Sequence, residues 1–178
     1  MTRIVAGAAR GRRLAVPAGR STRPTSEKVR AAIFNLLGQF FDGGAVLDLY
    51  AGSGALALEA LSRGCERATC VEADRRAVET IRANAAALGW EARVEVRHGR
   101  VEDVAPRLPG GYLLAFVDPP YAAGPAAALA LLGHLLAPGG RVVAEHDTRA
   151  PPPDRVGALA LEDRRAYGGT GLSIYRRD

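Results

Sequence analysis

Ala45-Val46-Leu47-Asp48-Leu49-Tyr50-Ala51-Gly52-Ser53-Gly54-Ala55-Leu56 is the stretch on which the fold turns. Residues 45–49 form a short, mostly apolar run that reads as a buried strand. Gly52 and Gly54 then supply a tight turn in which the backbone can approach a ligand closely. Residues 55–63 carry helical periodicity, and Gly64 stops them. A strand, a glycine turn and a helix in that order are the opening of a strand–helix alternation.

The alternation continues downstream. Strands are expected at 68–72, 93–97, 112–117 and 141–145. Helices are expected at 75–88 and 125–136, with a short one at 101–107. Two last strands, near 158–166 and 171–176, flank Gly168-Gly169 and read as a hairpin. Upstream, short strands near 2–6 and 12–16 are joined by residues 7–11. A helix near 26–38 follows, capped by Thr25 or Ser26. The fold expected is therefore α/β and Rossmann-like. It has a mostly parallel seven-stranded sheet, a C-terminal antiparallel hairpin and a small N-terminal β-hairpin extension.

In such a sheet, nucleotides bind at the carboxyl ends of the strands. Glu72 ends the strand after the glycine turn, where a carboxylate can accept from both ribose hydroxyls. Gly52, Gly54 and Ala57 also satisfy a dinucleotide fingerprint, so two cofactors fit the loop. Asp48 separates them. It stands four residues before Gly52, would repel a pyrophosphate, and suits a sulfonium ligand that carries an ammonium group. S-adenosyl-L-methionine is the cofactor expected, bound by Asp48, Tyr50, Ala51, Gly52, Ser53, Gly54, Glu72 and Ala73. After the third strand the chain reads Gly99-Arg100-Val101. Arg100 cannot accept a hydrogen bond from the adenine amine. Backbone groups of Arg100 and Val101, a carboxylate at Glu102 or Asp103, or packing alone must hold that ring.

Asp118-Pro119-Pro120-Tyr121 follows the fourth strand, beside the glycine loop if strands one and four adjoin. An exocyclic amine on a base is a weak nucleophile, because its lone pair is conjugated with the ring. Asp118 and the Pro119 carbonyl can accept from the amine and favour the charge that develops on it. Pro119 and Pro120 stiffen the backbone, and Tyr121 offers a stacking face for a flipped base. These four residues are the catalytic site expected. Methylation at pyrimidine C5 would need a cysteine nucleophile, and Cys65 and Cys70 fall around the second strand.

The two cysteines fit neither a disulfide framework nor a zinc pattern, and His98, His134 and His146 are scattered, so no metal is expected. No apolar run reaches a membrane span and no signal-peptide pattern opens the chain, so a cytoplasmic protein is expected. The net charge is +5, and residues 1–30 alone carry +7. Lys28 is the single lysine among 24 basic residues, which points to arginine-favouring composition. Composition alone does not place the excess at one end, and a basic arm on a near-neutral body suggests phosphate contact.

The segments Arg3-Ile4-Val5-Ala6-Gly7, Arg10-Gly11-Arg12-Arg13-Leu14, Arg23-Pro24-Thr25 with Val29-Arg30 and Ile33-Phe34-Asn35, the glycine loop and Asp118–Tyr121 together resemble the RsmD family of class I amino-methyltransferases. The resemblance covers essentially the whole chain. It implies methyl transfer from S-adenosylmethionine to the N2 amine of a guanine in 16S rRNA, in the 30S subunit or an assembly intermediate. It also places Arg23 and Thr25 near the methionine end of the cofactor or the incoming base. Residues 1–24 would be an RNA-contacting arm, with Arg3, Arg10, Arg12, Arg13, Arg20 and Arg23 as its contacts, and 25–178 the methyltransferase domain. A monomer is expected, since a small enzyme must reach a large particle. The alternative is an amino-methyltransferase on adenine N6 or DNA. DNA enzymes of that kind usually carry a sizeable recognition domain, for which this chain has no room. A non-catalytic RNA- or NAD-binding domain would leave Asp118–Tyr121 without a task.

Overall fold

The computed structural model describes residues 2–17, 26–120 and 122–178. Two strands, β1 (Thr2–Arg3) and β2 (Arg13–Leu14), pair antiparallel. They are shorter than the expected 2–6 and 12–16, because neighbouring backbone donors are taken elsewhere. Val5 and Ala6 N–H donate to the Glu59 carboxylate at 2.8 and 3.0 Å, and Ala15 N–H donates to Asn84 Oδ1 at 2.8 Å. Helix α1 (Glu27–Leu37) follows, with Ser26 as its cap: Ser26 Oγ accepts from Val29 N–H at 3.2 Å. Such a cap is worth about 1 kcal/mol.

The alternation then runs β3 (Ala45–Leu49), α2 (Ala55–Ser62), β4 (Arg67–Glu72), α3 (Arg75–Leu88), β5 (Val94–His98), α4 (Val101–Val104), β6 (Tyr112–Val117), α5 (Ala126–Leu132) and β7 (Leu136–Asp147). It ends with β8 (Arg155–Val156), β9 (Leu159–Tyr167) and β10 (Thr170–Arg177). The strand order is β5-β4-β3-β6-β7-β10-β9-β8. The first five of these are parallel, and β10, β9 and β8 add on antiparallel. The first and fourth strands of the alternation, β3 and β6, are direct neighbours. The sheet has eight strands where seven are expected, since the two-residue β8 pairs with the start of β9.

One boundary needs correction. The expected helix 125–136 ends at Leu132, and the expected strand 141–145 runs Leu136–Asp147. The Leu135 carbonyl accepts from Gly111 and Tyr112 N–H at 2.8 and 3.0 Å, and Leu136 pairs with Tyr112. The growing sheet thus captures residues that helical spacing alone would leave in α5. Propensity yields to the tertiary ladder there.

Alternate side chains divide two cores across the sheet. Val46, Phe116 and Val143 face Phe34, Leu58 and Ile81 from α1, α2 and α3, and Ile4 and Leu14 of the arm join them. Leu47, Leu49, Val117 and Val142 face Val101, Leu129 and Leu132 from α4 and α5. Asp48 takes its place on β3 between Leu47 and Leu49, in register with Phe116. None of the described helices is long and apolar enough to cross a membrane.

Candidate active site

The carboxyl edge of the parallel strands opens into a cavity of about 1260 Å³. Tyr50, Ala51, Gly52 and Ser53 border it after β3, Glu72 and Ala73 after β4, and Gly99, Arg100 and Val101 after β5. Asp118, Pro119 and Pro120 border it after β6, and Asp48 lies at its floor. The structure therefore brings together all the described residues expected to bind cofactor or act on the amine, apart from Gly54. Gly54 instead caps α2 in the left-handed region, with φ 77°. An added Cβ there would stand 3.2 Å from Ile81, so this turn needs glycine for conformation and for space. Arg20, Arg23, Thr25 and Tyr121 lie outside the described residues.

Asp48 is buried, and its Oδ2 accepts from Ala57 N–H in the first turn of α2 at 3.2 Å. Burial, with the charges of Asp118 and Glu72 nearby, pushes its carboxyl up to about 8. A buried acid in that condition favours a cationic ligand, whose charge would restore the ionised form. Glu72 is also buried, and its carboxylate accepts from Gly52 N–H at 2.8 Å and from Asp74 N–H at 2.9 Å. The residue expected at the ribose thus also staples the glycine loop to β4. Tyr50 has φ 65°, the one positive value outside glycine among the described residues. Such strain costs about 1–3 kcal/mol and collects at ligand sites.

At the β5 side, Arg100 Nε pairs with the Glu102 carboxylate at 3.4 Å in an exposed position. Glu102 borders the cavity, whereas Asp103 does not. Val101 is buried at the base of this wall. A cofactor with an adenosine, a sulfonium and an amino acid end fits the donor set: carboxylate at Glu72, backbone of the glycine loop, apolar Val101 and the buried Asp48.

Several functional positions have no clear sequence signal. Asn84 interrupts the buried face of α3 formed by Ala77, Val78, Ile81 and Ala85. Its amide donates to Ser53 O and Ala15 O, both at 3.0 Å, and ties the glycine loop to the arm. A polar residue on an apolar helical stripe is the hint that could have found it. Glu59 is fully buried in α2 and takes Val5 N–H, Ala6 N–H and Arg63 Nε, the last at 2.8 Å. Arg30 packs beside it at 3.5 Å and donates through Nη2 to Thr2 Oγ1 and Arg3 O. The far wall of the cavity is formed by Glu145, Asp147, Thr148 and Arg149 from β7 and its following turn, and by the β9–β10 turn 167–170. Arg149 binds the Asp147 carboxylate at 2.7 Å and holds it down at about 2.

The expected arm contacts divide. Arg3 backbone N–H donates to Glu27 at 3.1 Å and its guanidinium lies near the same carboxylate. Arg12 donates to the Ala87 carbonyl near the end of α3. Arg10 and Arg13 are exposed, and no ion-pair partner faces either among the described residues. Cys65 and Cys70 are buried free thiols raised by burial, and no group of metal-binding side chains occurs among the described residues.

The family described as conserved hypothetical protein 95 matches residues 2–176. The Bacillus subtilis protein YlbH, provisionally named an rRNA methyltransferase, is 40% identical over 98% of this chain and 98% of its own length. Ribosomal RNA small subunit methyltransferase D of Escherichia coli is 41% identical over 68% of this chain and 61% of its own length. A solved Escherichia coli structure, provisionally named the methyltransferase yhhF, superposes with a TM-score of 0.85 at 31% identity, over 99% of this chain and 98% of that one. The family match and the relatives covered over nearly their full length agree, and the chain belongs to the RsmD family of class I methyltransferases, which use S-adenosylmethionine.

Proposed function

We propose that this protein methylates the N2 amine of a guanine in 16S rRNA, in the 30S subunit or an assembly intermediate, working in the cytoplasm as a monomer. The observation that carries the reading is the sharing of one cavity by Asp118-Pro119-Pro120 and by Asp48, Gly52 and Glu72. An amine acceptor and a cofactor site thereby meet at the β3–β6 junction. The small-subunit rRNA named for the Escherichia coli relative supports the substrate, and the arm charge of residues 1–30 supports an RNA partner. Residues 1–24 serve as the arm and 25–178 as the methyltransferase domain.

The cofactor supplies a methyl group on sulfonium, open to displacement without a metal or covalent enzyme intermediate. Asp118 and the Pro119 carbonyl accept the two N–H bonds of the guanine amine and aim its lone pair at that methyl. They also stabilise the positive charge that grows on nitrogen as the new bond forms. Pro120 contributes by closing the turn, since its carbonyl accepts from Ala123 N–H at 2.9 Å. The proton released by the methylated amine leaves to Asp118 or to solvent.

Labelled methyl transfer to protein-free rRNA, 30S particles and duplex DNA, followed by nucleoside analysis, tests the proposal. N2-methylguanine from ribosomal substrate is expected. N6-methyladenine, or label in duplex DNA, would overturn it.

A further inference from the structure

We infer that Glu145 is the residue that selects guanine, by accepting the ring N1–H beside the amine held at Asp118. The inference rests on the guanine-N2 reading above and deepens it.

The placement follows from the ladder. Val117 of β6 and Ala144 of β7 are the last parallel pair of their strands, so Asp118, just past β6, and Glu145, still on β7, are the residues that follow it. Both border the cavity. Strand neighbours lie about 5 Å apart, close to the reach of two adjacent groups on one base edge. Val143 packs in the core on the α1 side and Ala144 in the core on the other. By alternation Glu145 returns to the α1 side, the side that Asp48 shares with Val46. Asp118 and Glu145 therefore stand at one level across β6 and β7, one step past Leu49, Val117 and Ala144, with Asp48 two residues further back on β3.

The order of the strands assigns the roles. Glu72, Ala73 and Val101 occupy the β4–β5 end, where adenosine chemistry belongs. Asp48 and Asp118 occupy the middle, where methyl and amine must meet. The target ring then lies toward β7 and the 167–170 turn, and of the two β7 carboxylates that border the cavity, Glu145 and Asp147, Glu145 is the one that directly follows the last β6–β7 pair.

Base chemistry makes the choice specific. Beside its amine, guanine presents a second donor, N1–H. Adenine presents an acceptor, N1, beside N6. A carboxylate at Glu145 accepts the first and repels the second. A site built for a donor rejects an analogue that lacks it far more strongly than an apolar pocket could. Whatever partner Glu145 has in the free protein, a carboxylate has room for several hydrogen bonds.

The test uses 30S particles reconstituted with the mapped target guanine, or with 2-aminopurine in its place. 2-Aminopurine keeps the amine but has an acceptor at N1. The wild type should strongly prefer guanine. Glu145→Gln can donate its amide to that acceptor, so the guanine-to-2-aminopurine ratio of kcat/KM should fall at least about tenfold. Loss of the O6 contacts affects both enzymes alike and cancels in this ratio, as does partial unfolding of the variant. Cofactor affinity, read by calorimetry, should change by less than about threefold, since Glu145 stands away from the β4–β5 end. A ratio unchanged by the substitution overturns the inference while N2-methylguanine formation by the wild type preserves the reading beneath it. Failure of the wild type to methylate any guanine removes both.

Discussion

On the β3–β4–β5 side of the sheet edge, most of the cavity wall lies at or just past a strand end: 48, 50–53, 71–73 and 99–102. On the β6–β7–β10 side the described wall is gathered from 118–120, 123, 145, 147–149 and 167–170, with the arm and α1 adding Thr2, Val16, Pro17, Ser26, Val29 and Arg30. The first half is fastened within 31 residues of chain, by Gly52 N–H on Glu72, Ala57 N–H on Asp48 and Asn84 on Ser53, separations of 20, 9 and 31. The second depends on contacts spanning more than 50 residues, such as Glu59 with Val5 and Ala6. A cofactor common to many enzymes can be met by a short, self-contained device. A particular target needs surfaces from distant segments, and these can change without disturbing the donor site.

If the halves are separable, damage to one should spare the other. Asp118→Ala should lower turnover about 1000-fold, with cofactor affinity, measured by calorimetry, within about threefold of wild type. Near-normal turnover would remove Asp118 from the chemistry, and loss of cofactor binding would show that the halves are one unit. Glu59→Ala strips a buried carboxylate from Arg63 and Arg30 and from two arm N–H groups. It should cost about 3–5 kcal/mol in urea denaturation. A loss below about 1 kcal/mol would mean that the arm is fastened to the body by other contacts.

The donor half carries its own signature in pH. Asp48 is raised to about 8 in the free protein, whereas a bound cation favours its ionised form. Cofactor binding therefore releases a proton, and affinity should rise about tenfold from pH 7 to pH 9, then level off. Asp48→Asn should flatten the profile while weakening binding throughout. A flat wild-type profile would show that Asp48 is already ionised before the ligand arrives. The smallest effect is expected on the arm. Reversing Arg10 and Arg13 to glutamate should weaken RNA binding and reduce the salt slope by about 2. Reversal of Arg12, already engaged by Ala87, should change the slope less. Equal effects at all three would extend the open surface across the whole turn.

The alternation of β3 to β7 with its helices was legible because apolar runs of strand length and periodic helices are separated by glycine and proline. The places of the glycine loop, Asp48 and Glu72 were legible for the same local reason: each stands at or just past a strand end. The boundary at 132–136 was misread because α5 and β7 share an apolar stretch, and the Leu135 carbonyl is claimed by Gly111 and Tyr112 rather than by a helical turn. Asn84 and Glu59 were missed as site builders because their partners in the arm and the glycine loop lie 31 to 69 residues away. The hairpin turn 167–170 was expected as a turn, with no sign that it would border the cavity.

By itself the amino-acid sequence determined the fold class and the place of the glycine loop and of Asp118-Pro119-Pro120 at strand ends, because periodicity, glycine conformation and proline geometry act over a few residues. The tertiary structure alone decided that β3 adjoins β6, that Glu59 and Asn84 bind the arm to the body, and that Asp118 and Glu145 border one cavity. Those facts depend on strand order and register, and many sequences of equal local preference could pair their strands otherwise. The physical reason is the range of the forces: a turn is set by its own backbone, whereas neighbours across a sheet are set by which buried faces fit together.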